Sequence, residues 1–186
     1  MTSSRDHKLS LSEHYRRQVV PTLQQEFGLK NALSVPRLVK VVINIGLGQQ
    51  AQEGKLSEVA IKTLNRITGQ KPILTRAKKS ISNFKIRQGM VVGAMVTLRG
   101  KRMYDFLEKL IRVALPRVRD FRGLAASSVD AQGNLAIGFR EHLIFPEIRG
   151  DEVESIHGLE VAINTNAGNR EQGKKLLALL GFPFAS

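Results

Sequence analysis

Leu38-Val39-Lys40-Val41-Val42-Ile43-Asn44-Ile45 alternates strictly enough to be read as a half-buried strand. Successive side chains point to opposite sides of a strand, so Val39, Val41, Ile43 and Ile45 share one face and Lys40, Val42 and Asn44 the other. Residues 91 to 99 repeat the pattern: Val92, Ala94, Val96 and Leu98 face inward, while Met95, Thr97 and Arg99 face outward. Two strands with one apolar and one polar face need cover on one side only. The surrounding segments supply it.

Upstream, Tyr15, Val19, Leu23 and Phe27 recur every four residues, predicting an amphipathic helix bent at Pro21 and ended by Gly28. Between the two strands, Leu56, Val59, Ala60, Thr63, Leu64 and Ile67 make one buried helical stripe closed by Gly69. Residues 72 to 77 and 84 to 88 are expected to be strands flanking a polar Lys78–Asn83 loop. Downstream, Met103, Phe106, Leu107, Leu110, Ile111 and Ala114 predict a helix ending at Pro116. Strands are expected near 136 to 144 and 158 to 166. A last helix follows, capped by Asn169 and Gln172 and stopped by Gly181.

The fold expected is α+β, a two-layer sandwich whose mostly antiparallel sheet carries helices on one face and leaves the other open. If the two alternating strands are neighbours, Lys40, Asn44, Thr97 and Arg99 sit together on that open face. One domain over 1–186 is expected, with residues 1–10 as a flexible tail. Residues 117 to 134 lack any sustained period, and a structureless run of that length is expected to be a functional excursion.

Charge is concentrated. Of 29 Lys and Arg residues, eleven lie between 59 and 104, where there is no Asp or Glu, leaving 18 basic against 16 acidic residues elsewhere. Such a block is the footprint of a polyanion-binding surface. Residues 141 to 160 reverse the sign, with six carboxylates against Arg149 alone, which suits a basic protein partner rather than RNA. With 42% hydrophobic residues the chain can bury a core, and without cysteine it has no disulfide framework or thiolate metal site. No apolar stretch reaches the ~20 residues that span a bilayer, and a cytoplasmic protein without membrane contact is expected.

Two motifs imitate nucleotide sites. Gly46-Leu47-Gly48-Gln49-Gln50-Ala51 fits G-x-G-x-x-G/A but lacks the acidic residue about 20 positions on that would hold a ribose. Gly168 to Lys175 fits a phosphate loop except at its last position, where Lys replaces the Ser or Thr that ligates magnesium. His7, His14, His142 and His157 have no metal or triad spacing and are expected at the surface. No enzyme activity, cofactor or metal site is expected. Phe84, inside the basic stretch, would suit a platform for a base or ribose. With aromatics at 5% and no Trp, recognition through phosphate, sugar and shape is expected to outweigh stacking.

The central run Leu64-Asn-Arg-Ile67-Thr68-Gly69-Gln70-Lys71-Pro72-Ile-Leu-Thr75-Arg76-Ala77-Lys78-Lys79-Ser80 closely resembles the bacterial-type fifth family of large-subunit ribosomal proteins, the 5S ribosomal RNA binders. Ser80-Ile-Ser-Asn-Phe84-Lys85, Val96-Thr97-Leu98-Arg99-Gly100, Arg119-Asp-Phe-Arg-Gly123, Ile144-Phe-Pro-Glu147-Ile148 and Leu180-Gly-Phe-Pro-Phe184 extend the resemblance over nearly the whole chain. Residues 124 to 138 and Arg149-Gly150 depart from the family's usual form.

The resemblance implies a structural constituent of the large subunit that anchors 5S rRNA in the central protuberance beside large-subunit rRNA and neighbouring proteins. It puts rRNA contacts at Asn44, Gln70, Phe84 and Thr97, to which Lys40, Lys71 and Arg99 are added from the basic stretch and open face. It puts a contact to P-site tRNA at Arg76, Lys78, Lys79 and Ser80. A bridge to a protein of the small-subunit head falls in an excursion over 117–157, at Glu147, Asp151, Glu152 and Glu154. A nucleotidase built on Gly168 to Lys175 and a free RNA binder without preference for 5S rRNA are the alternatives.

Overall fold

A computed structural model of the chain describes residues 9–48, 55–148 and 156–185. In chain order the principal elements are α1 (Leu11–His14), α2 (Val20–Phe27), β1 (Leu38–Gly46), α3 (Lys55–Thr68), β2 (Ile73–Arg76), β3 (Val91–Leu98), α4 (Gly100–Lys109), β4 (Leu135–Phe139), β5 (Leu159–Thr165) and α5 (Arg170–Leu179). The strands form a five-stranded antiparallel open sheet in the order β2-β3-β1-β5-β4, so β1 and β3 are neighbours, as the open-face reading required. This is the α+β fold expected. The chain clusters into two compact units: Met1–Val41, Arg99–Ala136 and Ile163–Ser186 make the first, Val42–Leu98 and Ile137–Ala162 the second.

In the first unit, α1 and α2 are joined by a π-helical turn, Tyr15–Val19, in which the Val20 N–H reaches the Tyr15 carbonyl. Pro21 has no N–H and its ring would meet the carbonyl four residues back, so a wider turn just before it lets the helix continue. The same device precedes Pro116, where Leu110–Ala114 form a π turn and the Leu115 N–H reaches Leu110. Gly28, at φ 62°, ends α2 as expected. Leu11, Val19, Leu23, Met103, Phe106, Leu107, Leu176 and Leu177 are buried.

The aperiodic segment 117 to 134 is held by distant partners. Leu124 donates to the Pro183 carbonyl at 2.7 Å and accepts from the Ala185 N–H at 2.9 Å. Arg170 donates to the Ala126 carbonyl at 2.7 Å, and the Thr165 hydroxyl to the Gly133 carbonyl at 3.0 Å. Asp130 closes the turn before β4, accepting from the Asn134 amide and from the backbone N–H groups of Gln132 and Asn134, which hold its carboxyl below the usual range.

Gly173 explains one of the imitated motifs. A Cβ there would lie 2.3 Å from the Gly133 Cα, so the residue is glycine because backbone meets backbone. It sits within α5, not in a phosphate-cradling loop. Asn169 caps α5 by accepting from the Gln172 N–H at 2.8 Å, while the Gln172 side chain reaches back to the Gly168 N–H rather than to the cap's own.

In the second unit, α3 packs on β3, burying Ala60, Leu64 and Ile67 with Ile43, Ile45, Ala94, Val96 and Leu98. Alternation holds from Val41 to Ile45 but fails at the start of β1, where Leu38 is buried and Val39 exposed. The expected strand over 84–88 does not form. Lys85 adopts a left-handed φ of 53° after a single 3₁₀ turn, Ser82–Phe84, and β2 pairs directly with β3.

His142 and His157, expected at the surface, are buried. Their rings stack at 4.0 Å and 12°, the His157 N–H lies 3.3 Å from His142 Nδ1, and His157 Nε2 lies 3.4 Å from the Thr63 hydroxyl. Burial lowers both pKa values, so the pair is held neutral as part of the core.

Candidate nucleic-acid interface

The interface is built on β1 and β3 of the second unit. The apolar side chains of these strands are buried, those of β3 against α3, and Asn44 and Thr97, which alternate with them, are half-exposed. Gln70 is drawn to the same place by a local device. After Gly69, at φ 64°, ends α3, the Thr68 hydroxyl donates to the Leu64 carbonyl and accepts from the Gln70 N–H. The Gln70 side chain then donates to the Thr97 backbone carbonyl at 3.2 Å. Gln70 and Thr97 are thereby fixed relative to one another, and Lys71 follows, exposed.

Gly93 allows the strands to close up. A Cβ at this position would lie 2.7 Å from the Ile45 carbonyl oxygen and 2.8 Å from the Thr75 hydroxyl, so any side chain would push β3 away from its neighbours. The register of β2 on β3 runs Ile73 opposite Met95 and Thr75 opposite Gly93, then shifts by a residue between Thr75 and Arg76. The shift leads the chain out of the sheet.

Residues 77 to 90 form a loop that closes on itself. Ala77 donates to the Met90 carbonyl at 2.8 Å and accepts from Gly89 at 2.9 Å, and Ile81 and Ile86 exchange hydrogen bonds at 2.8 and 3.1 Å. Arg76 donates to the Gly89 carbonyl at 3.1 Å and the Ser80 hydroxyl accepts from the Gln88 N–H at 3.0 Å. Of the four residues assigned to the tRNA contact, Arg76 and Ser80 therefore brace the loop, while Lys78 and Lys79 are exposed on it.

Phe84, grouped from the sequence with the sheet residues, belongs to this loop, with 58% of its surface exposed. Leaving a little over half of a large apolar side chain in water forgoes roughly 1 to 2 kcal/mol of burial. Lys85 and Arg87 are exposed on the same loop and were not singled out beforehand, although both lie in the carboxylate-free stretch.

In the first unit, Lys40 is half-exposed on β1, and Arg99 is exposed and donates to the Val39 carbonyl at 3.4 Å. Glu147 is half-buried, and Asp151, Glu152 and Glu154 lie outside the described residues. No helix among the described residues is long and apolar enough to cross a membrane.

Residues 31–87 match the family model described as ribosomal protein L5, and residues 91–184 match the one described as the C-terminus of that ribosomal family. The chain is 55% identical over 174 residues to large ribosomal subunit protein uL5 of Chloroflexus aurantiacus, covering 94% of this chain and 97% of that one. It is 55% identical over 175 residues to the protein of the same name from Caldanaerobacter subterraneus, covering 94% and 98%, and 56% identical to that of Herpetosiphon aurantiacus. The chain belongs to the ribosomal protein L5 family. As a member of the L5 family it is a structural, RNA-binding constituent of the ribosome and not an enzyme.

Proposed function

We propose that this L5-family chain, within the large ribosomal subunit, binds 5S rRNA on the open face of its sheet and anchors it in the central protuberance against large-subunit rRNA. One observation carries the reading: Asn44 and Thr97 stand half-exposed on neighbouring strands, with Gln70 locked to the Thr97 backbone, and Gln70 and Thr97 belong to the stretch 59 to 104, whose eleven cations have no Asp or Glu among them. Polar groups held on a sheet supply geometry, and the cations supply attraction to phosphate. Phe84 and Lys71 of the second unit also contact rRNA, and so do Lys40 and Arg99 of the first. Lys78 and Lys79, on a loop braced by Arg76 and Ser80, contact tRNA in the P site. The acidic stretch with Glu147, Asp151, Glu152 and Glu154 meets a basic protein of the small-subunit head, because RNA would repel it.

A salt titration of 5S rRNA binding tests the electrostatic part. Release of about 0.7 to 0.9 counterions per neutralised phosphate gives a log–log slope of about −4 for five contacts. A flat response overturns it. Equal affinity for 5S rRNA and a size-matched folded RNA overturns the specificity. Reversal of Asp151, Glu152 and Glu154 to Lys is expected to slow subunit joining, most at low salt, and leave 5S rRNA binding intact. Exposed pairs are worth only about 0.2 to 1 kcal/mol each.

A further inference from the structure

The first unit contains an open cleft of about 480 Å³, of whose lining the 5S rRNA reading uses Arg99 alone. Tyr15, in the π turn, and Tyr104, on α4, line it with ring centroids 6.3 Å apart and planes tilted by 35°. Arg16, Arg37 and Arg99 also line it, and among the described residues no carboxylate does. The three arginines are exposed.

The cleft is held in shape from outside. The Tyr15 hydroxyl donates to the Pro36 carbonyl at 3.0 Å, which fixes the ring. Arg37 is clamped at its backbone, donating to the Asn166 side chain at 2.6 Å and accepting from the Asn166 N–H at 3.1 Å. Its guanidinium therefore springs from a fixed point while its head stays in solvent. Burial pushes the Tyr15 phenol up to about 12 and raises Tyr104, with Arg37 opposing both shifts. Both rings stay neutral at physiological pH, and the charge of the cleft is that of its arginines.

Tyr15, Arg16 and Arg37 also line a second, smaller cleft of about 260 Å³, whose apolar side includes Leu33, 80% exposed. The three residues thus form a wall common to both recesses, and its charge is that of Arg16 and Arg37. Guanidinium groups crowded without acidic partners repel one another and favour a ligand with repeated anionic groups. Rings beside them favour a ligand that is also flat. A free phosphate would not use the tyrosines, and the Asp and Glu side chains of an acidic peptide carry no ring to stack on them.

We propose that this wall is a binding site for single-stranded RNA, separate from the sheet face. Arg16 and Arg37 take successive phosphodiesters, Arg99 adds charge, and an unstacked base rests against Tyr104. At about 480 Å³ the larger recess is within the size range of small-ligand sites, and at about 260 Å³ the smaller is just below it.

The test uses the full chain and a labelled short oligouridylate, followed by fluorescence anisotropy with and without saturating 5S rRNA. The Arg16→Ala, Arg37→Ala double variant is expected to bind the oligonucleotide at least about tenfold more weakly, since hydrogen bonds to charged groups are lost. Its salt slope should become shallower by roughly 0.7 for each phosphate released. The corresponding double Lys variant should recover most of the affinity, and Tyr104→Leu should lose severalfold without a change in salt slope. Circular dichroism of each variant verifies its fold, and the Lys pair keeps the test decisive if the Ala pair unfolds, by retaining wild-type salt slope.

Oligonucleotide should still bind when 5S rRNA is saturating, and the Ala pair should keep 5S rRNA affinity within about twofold. Wild-type oligonucleotide affinity in the Ala pair overturns the site. So does complete displacement by 5S rRNA, loss of oligonucleotide binding in an Asn44→Ala, Thr97→Ala variant, or equal binding of polyglutamate. If the protein fails to bind 5S rRNA at all, the function proposed above falls, and the arm without 5S rRNA still decides this one.

Discussion

The sheet face around Asn44 and Thr97 and the loop from 77 to 90 are joined directly in sequence and in structure, yet they are stabilised in opposite ways. On the face, each residue is placed by strands and by α3 packed behind them, and Gln70 is tied to Thr97 across 27 positions of sequence. In the loop, every backbone bond from Ile81 to Lys85 stays within the loop itself, and the whole is attached to the sheet through its base at Ala77 and Met90. The face offers fixed geometry. The loop offers cations and an exposed ring on a segment tied to the sheet at its base.

The sharpest way to break this contrast is at Gly93. Gly93→Ala brings a Cβ against the Ile45 carbonyl and should destabilise the protein by about 1 to 3 kcal/mol in a urea melt, with 5S rRNA binding falling in step. Unchanged stability would mean that the strands part without cost and the face is not rigid.

Next in size is the face itself. Asn44→Ala with Thr97→Ala should weaken 5S rRNA binding by about 1 to 3 kcal/mol in a gel shift while leaving the melting curve unchanged, since each hydrogen bond is worth about 0.5 to 1.5 kcal/mol. Normal affinity removes this face from the site.

Phe84→Ala sharpens the comparison, because the ring lies on the loop but is assigned to rRNA. A loss of about 1 to 2 kcal/mol in 5S rRNA affinity is expected from a stacked base. Loss confined to tRNA retention would make the loop one functional unit. Replacing Lys78 and Lys79 by Ala should cost 5S rRNA binding less than about 1 kcal/mol and weaken tRNA retention on assembled ribosomes. The reverse pattern contradicts the division between face and loop.

The smallest effect concerns what lies behind the face. His142 and His157 have folded pKa values below that of the unfolded chain, so their contribution to stability is complete above about pH 6.5. As pH falls below that value the unfolded state takes up protons first and stability declines, levelling once the folded values are passed. Urea midpoints at about pH 7.5 and about pH 5 should differ in that direction, and less so in a His142→Phe, His157→Phe variant. A midpoint that rises on acidification contradicts the buried neutral pair.

By itself the sequence determined what depends on near neighbours. Alternation in Val41–Ile45 and Ala94–Leu98 specified two strands and their buried side, the stripe through Ala60, Leu64 and Ile67 specified α3, and Gly28, Asn169 and Gly181 marked helix ends, because these patterns arise from contacts two to four residues apart. The carboxylate-free stretch is likewise a matter of composition.

Tertiary structure alone decided the rest. Residues 84 to 88 look like a strand locally, but β2 finds β3 as its partner and the intervening chain turns at Lys85. The histidines carry no local sign of burial, since the partners that satisfy them, Thr63 and each other, lie 94 and 15 positions away. Segment 117 to 134 has no period because its order comes from Pro183, Ala185, Thr165 and Arg170, and Gly173 is glycine for the sake of Gly133. A local window records only the forces that act within it, whereas each of these residues is held by a backbone or side chain that the chain must fold to bring near.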